Sequence, residues 1–88
     1  MVKDRLVARA HIVEGLLRVL DDRLEFVALL ASSDNRTTVI EALIVGWEMS
    51  EVQAFHAVDM TFGRSTLAGY ELLSEELAEL RKRIAELG

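Results

Sequence analysis

Residues 70–87 read Tyr70-Glu71-Leu72-Leu73-Ser74-Glu75-Glu76-Leu77-Ala78-Glu79-Leu80-Arg81-Lys82-Arg83-Ile84-Ala85-Glu86-Leu87. Tyr70, Leu73, Leu77, Leu80, Ile84 and Leu87 follow one another in steps of 3-4-3-4-3. That is a helix whose apolar seam meets a partner helix, as in a coiled coil. Glu75, Glu76, Glu79, Arg81, Lys82, Arg83 and Glu86 fill its other faces. Glu79 precedes Arg83 by one turn, the favourable order for an ion pair on a helix. Flanked by acids, the Arg81-Lys82-Arg83 run reads as a solvated face rather than a nucleic-acid patch.

A matching seam lies at the other end of the chain. Val2, Leu6, Ala10, Val13, Leu17, Leu20, Leu24 and Val27 recur in steps of mostly four and three. Ile12, Leu16 and Val19 add a second stripe, so this helix touches two neighbours. Asp21 or Asp22 can cap a new helix, which predicts a break there and a second helix ending near Ser32. Two seams at opposite ends of one chain can zip together antiparallel.

The middle of the chain is punctuated. Ser33-Asp34-Asn35 is a turn and cap cluster. From it starts a short helix with Val39, Ile40, Leu43 and Ile44 on one face, closed by Gly46 in a left-handed conformation. Ser50 with Gln53 three residues on has the form of a capping box. The helix it opens carries Val52, Ala54, Phe55, Ala57, Val58, Met60 and Phe62 around most of its circumference, which predicts a buried central helix. Gly63 ends it, and Ser65 or Thr66 caps the last helix. No alternating strand pattern competes. The reading is all-α: an antiparallel two-helix coiled-coil stalk, residues 1–20 and 66–88, capped by a small head of about three short helices, residues 21–65.

Composition narrows the function. The chain has 88 residues, 51% of them hydrophobic, with no cysteine and no proline. A core this small is marginal. Without disulfides or thiolate metal sites, oligomerisation is the natural way to bury more area. The net charge of −5 disfavours direct binding to a phosphate backbone. No apolar run approaches a membrane span and no signal-peptide stretch follows Lys3, Asp4 and Arg5, so a cytoplasmic location is expected.

Two pairs suggest metal chemistry at first sight. His11 and Glu14 share a helix face, as do His56 and Asp59. Carboxylate-histidine sites in helical bundles need further inward carboxylates, and no clear set exists, so helix pairing and polar contacts are the preferred reading. Ser, His and Asp are all present, but no glycine-flanked nucleophile turn accompanies them. Gly15 inside a helix reads as a close crossing. Trp47, Met49 and Phe55 are either dimer anchors or core of the head.

Taken together, Arg9-Ala10-His11-Ile12-Val13-Glu14-Gly15-Leu16-Leu17, Ala28-Leu29-Leu30-Ala31-Ser32-Ser33, Met49-Ser50-Glu51-Val52-Gln53-Ala54 and Asp59-Met60 resemble one region of a larger machine. It is the dimerisation region, the exit gate on its coiled-coil tower, of the A subunit of DNA gyrase and topoisomerase IV, the type IIA topoisomerases. The match runs from about Arg5 to Leu87. After the Asp-Met pair the family pattern is Leu-x-x-Leu-Thr, where this chain has Phe62-Gly63-Arg64-Ser65-Thr66, a divergent or excised relative.

The resemblance implies a homodimerisation module without catalytic residues, cofactor or metal. The family's catalytic tyrosine lies in another domain, so Tyr70 inherits no catalytic role. The implied partners are a second copy of the chain and other topoisomerase subunits, with no direct nucleic-acid or membrane contact. The implied interface is the apolar surface of Trp47, Met49, Phe55, Val58, Met60 and Phe62. The alternative, suggested by Met1 and the short stalk, is a free-standing small dimeric adaptor or a gyrase-interacting regulator derived from that module.

Overall fold

The computed structural model describes residues 2–59 and 67–88, with backbone alone for 67–69. Five helices follow one another: α1 Val2–Asp21, α2 Arg23–Ser32, α3 Arg36–Gly46, α4 Glu51–Asp59 and α5 Leu67–Leu87. There is no strand among the described residues, so the all-α class is borne out. The molecule measures 43 × 25 × 17 Å along its principal axes.

Helices α1 and α5 lie side by side and antiparallel. Asp21, at the end of α1, meets Tyr70 near the start of α5. Val2 and Leu6, at the start of α1, share a surface depression with Arg83, Glu86 and Leu87 at the end of α5. Between these ends Leu73, Leu77 and Leu80 of α5 are buried in the core that contains Ala10, Val13, Leu16, Val19 and Leu20 of α1. The Arg9 guanidinium spans the pair to Glu76, donating from Nε at 2.6 Å and from Nη2 at 3.0 Å. Hydrogen bonding to Glu76 outweighs desolvation and holds the Arg9 proton more tightly than usual. Arg81 reaches Glu14 at 3.4 Å, and Arg83 reaches Glu79 at 3.3 Å as the spacing predicted.

The two stripes of α1 predicted two neighbours, and α5 is one of them. α1 also packs on α4, and α3 packs on α4. Leu43 of α3 and Ala54 of α4 are fully buried, as are Val13 and Val19 of α1, and all four belong to one core. The core thus sits where one long helix is shared between its antiparallel mate and the short helices.

Three local expectations are corrected. The first concerns Leu24 and Val27, which the periodicity continued along the α1 seam. The chain breaks at Asp22 (φ −113°, ψ 40°) and redirects α2, leaving Leu24 84% and Val27 57% exposed. Asp22 precedes α2 but makes no side-chain cap bond. The second concerns Gly46, which closes α3 in helical conformation; the left-handed residue is Glu48, with φ 56°. The Met49 amide donates back to the Leu43 carbonyl at 3.1 Å, closing the helix end just after this left-handed residue.

The third concerns α4, which is buried on one side only. Ala54 and Ala57 face inward, while Val52 and Phe55 are about half exposed. The breaker Gly63 and the cap residues Ser65 and Thr66 lie outside the described residues.

Candidate functional site

The short helices take their places through a few polar and steric devices. Asn35 caps α3, its Oδ1 accepting from the Thr38 amide at 3.0 Å. The capping box at α4 is complete: the Gln53 amide donates to Ser50 Oγ at 3.2 Å, and the Ser50 amide donates to Gln53 Oε1 at 3.1 Å. This satisfies two amides that a helix start otherwise leaves without partners.

The same two residues hold α4 to α1. Gln53 Nε2 donates to the His11 carbonyl at 2.7 Å and lies 3.4 Å from His11 Nδ1. His11 Nε2 is 2.7 Å from Ser50 Oγ. With Nδ1 facing an amide NH2, the consistent tautomer carries its proton on Nε2 and donates it to Ser50. This Ser–His pair has an amide, not a carboxylate, beside the second ring nitrogen, so it lacks the orienting acid of a hydrolytic triad. Gly15 makes the approach possible. A Cβ there would stand 2.8 Å from both Cβ and Cγ of Gln53. The close crossing read from Gly15 is therefore present.

Around this crossing the six residues assigned to an interface fall in different settings. Trp47 is half-buried, its ring edge-to-face with Phe26 at 6.3 Å and 74°, and the Arg18 guanidinium is 5.9 Å from its centroid. Met49 is buried within the chain's own core. Phe55 is 50% exposed, and the Arg36 guanidinium lies 4.8 Å from its ring centroid. Arg36 also pairs with Asp59, so it spans from the start of α3 to the end of α4. Val58 is half-buried against the core. Met60 and Phe62 lie outside the described residues.

The structure thus brings Trp47 and Met49 to the end of α3 and turns Phe55 outward. The outward side of α4 also carries Val52, one turn before Phe55, and Val45 on α3 is exposed. Neither residue was assigned to a surface from the sequence. One signal was available: Ala54 and Ala57 are small, as is Gly15 opposite, and small residues mark the side of a close crossing. The larger Val52 and Phe55 must then point away.

The histidine–carboxylate pairs separate. His11 turns to Ser50 and Gln53, Glu14 to Arg81, and Asp59 to Arg36. Among the described residues no group of three His, Asp or Glu side chains could hold a metal ion. No described helix is long and apolar enough to cross a membrane. At Tyr70 a hydrogen bond to the Asp21 carboxylate, with the charge of that carboxylate, pushes the phenol pKa up.

No family model matches the chain. Individual relatives do. The chain is 44% identical over 80 residues to the DNA gyrase A subunit of Campylobacter jejuni, covering 91% of the chain and 9% of that relative. It is 40% identical over 85 residues to the DNA topoisomerase 4 A subunit of Streptococcus pneumoniae, covering 97% of the chain and 10% of that relative. The DNA gyrase A subunit of Deinococcus deserti is 35% identical over 79 residues. The chain spans about a tenth of the length of the curated relatives it matches.

Proposed function

From this kinship with one segment of the A subunits of DNA gyrase and topoisomerase IV, we propose that the chain is a homodimerisation module. In this reading α1 and α5 form a coiled-coil stalk, residues 1–20 and 66–88, and residues 21–65 form its head. Two heads meet across a two-fold axis and form the exit gate that holds a type IIA topoisomerase dimeric while DNA passes. The module itself carries no catalysis and needs no cofactor. Its partners are a second copy of the chain and the remaining parts of the topoisomerase, and it works in the cytoplasm. The segments that carry the resemblance are also the ones that build the α1–α4 crossing: His11, Gly15, Ser50 and Gln53.

The observation that carries the reading is the half-exposed apolar side of α4. Val52 and Phe55 stand one turn apart and are half exposed, with Arg36 against one side of the Phe55 ring. A gate must be tight enough to resist subunit exchange and still able to part, and one patch used twice meets both demands. Arg36 fits this role, since it holds the Phe55 ring and pairs with Asp59 at the same surface.

The test is the absolute mass of the chain by size-exclusion chromatography with light scattering across a dilution series. The monomer mass is 9.9 kDa. A persistent species of twice that mass, lost in Phe55→Glu, is the expected result. A folded monomer at every concentration overturns the reading.

A further inference from the structure

Helix α2 is apolar on most of its circumference, yet Phe26 is its only buried residue. A helix of that composition ordinarily sits inside a core. Leu24, Val27, Ala28 and Ala31 follow the spacing i, i+3, i+4, i+7 and form one stripe, all of it exposed. The break at Asp22 has turned Leu24 and Val27 out of the α1 seam that the sequence pattern assigned them to. No charged residue interrupts the stripe.

The stripe is self-complementary. Leu24 and Ala31 lie equally far from the point between Val27 and Ala28, so a large residue mirrors a small one on each side of it. We propose that α2 packs antiparallel on α2 of a second copy, across a two-fold axis passing between Val27 and Ala28. Leu24 then seats against Ala31 of the partner subunit, and Val27 against Ala28 of the partner subunit. The alanines let the helix axes approach to about 8 Å, the close end of the usual range. The antiparallel arrangement opposes the helix dipoles and separates the two Glu25 carboxylates. A parallel pair would set Leu24 on Leu24 and like charges together.

This inference rests on the homodimer reading and names the surface it uses. Area argues for it. Val45, Val52 and Phe55 together offer on the order of 300 Å² of exposed side chain, well short of the ~800 Å² per partner of a stable complex. The α2 stripe supplies further exposed apolar area, led by Leu24 and Val27.

The chain has no cysteine, so single introduced cysteines report the geometry directly. In the proposed pair two copies of residue 28 lie about 1.5 Å apart along the axis, and two copies of residue 31 about 10 Å apart. Disulfide geometry accepts the first and excludes the second. Ala28→Cys should therefore oxidise to a covalent dimer at low protein concentration, seen on a non-reducing gel. Ala31→Cys alone should not, and a mixture of Leu24→Cys and Ala31→Cys chains should. Leu24→Glu, at a site this exposed, should fold normally and raise the dimer dissociation constant at least about tenfold. A wild-type dimer in which Ala28→Cys fails to cross-link, or in which Leu24→Glu changes nothing while Phe55→Glu dissociates it, overturns the α2 pairing and leaves the homodimer standing. A monomeric wild type overturns both.

Discussion

Replacing Gly15 by alanine sets two effects of known sign against each other. Alanine is favoured over glycine inside a helix by about 1 kcal/mol. At position 15 the new methyl carbon would stand 2.8 Å from both Cβ and Cγ of Gln53 and 3.2 Å from its Cδ. Ordinary carbon–carbon contact begins near 3.5 Å. Because Gln53 Cβ is fixed to the α4 backbone, a rotamer change cannot clear the overlap, and the helices must part. Overpacking of this kind costs about 1–3 kcal/mol. Displacing Gln53 also weakens the capping box, at about 1 kcal/mol. The balance is a destabilisation of about 1–3 kcal/mol, a fall in Tm of roughly 4–8 °C for each kcal/mol in a chain of this size.

The assay is thermal and urea unfolding followed by circular dichroism. Its internal control is Gly46→Ala. Gly46 has nothing within 4 Å of a built Cβ and no positive φ, so the substitution should be neutral or stabilising by up to about 1 kcal/mol. If Gly15→Ala proves as stable as Gly46→Ala, the account of the α1–α4 crossing is wrong.

Other substitutions probe the remaining contacts. Leu43→Ala empties a site with no solvent exposure and should cost about 2–5 kcal/mol by urea unfolding; a loss below about 1 kcal/mol would place Leu43 outside the core. Arg9 and Glu76 are each 36% exposed, so their bidentate pairing should show a coupling no greater than about 1 kcal/mol in a double-mutant cycle, shrinking as salt is added. Tyr70 is the only tyrosine, so the phenolate absorbance follows one group. Its midpoint should lie above that of a free tyrosine and fall in Asp21→Asn. Because the folded-state pKa is raised, its share of stability is present below the unfolded tyrosine pKa and lost as pH rises through the folded value. A midpoint unmoved by Asp21→Asn would remove the hydrogen bond as its cause.

Much of the local structure was legible because it is written in short-range rules. The seam of Leu73, Leu77 and Leu80 follows from helical periodicity alone. The cap at Asn35 and the box of Ser50 with Gln53 follow from which side chains can serve the open amides of a first turn. Gly15 announced a crossing because glycine inside a helix is costly unless something presses against it. Gln53 could not be named as that neighbour, since the two residues meet only when α4 folds back on α1.

The surface was harder to read, for a reason visible in Met49 and Phe55. Both are apolar, both lie close to Ser50 in the sequence, and both fit an interface or a core. One is buried by its own chain and the other is half exposed. The sequence by itself determined that the chain is helical, where α2, α3 and α4 begin, and which faces of α1 and α5 are apolar, because each depends on residues within a turn or two of one another. The tertiary structure alone decided that Leu24 and Val27 leave the seam at Asp22, that Gln53 faces Gly15, and that Arg36 bridges to Asp59. Each of these depends on the path of the backbone between helices, and a few degrees at one junction determine which apolar side chains meet the core and which meet water.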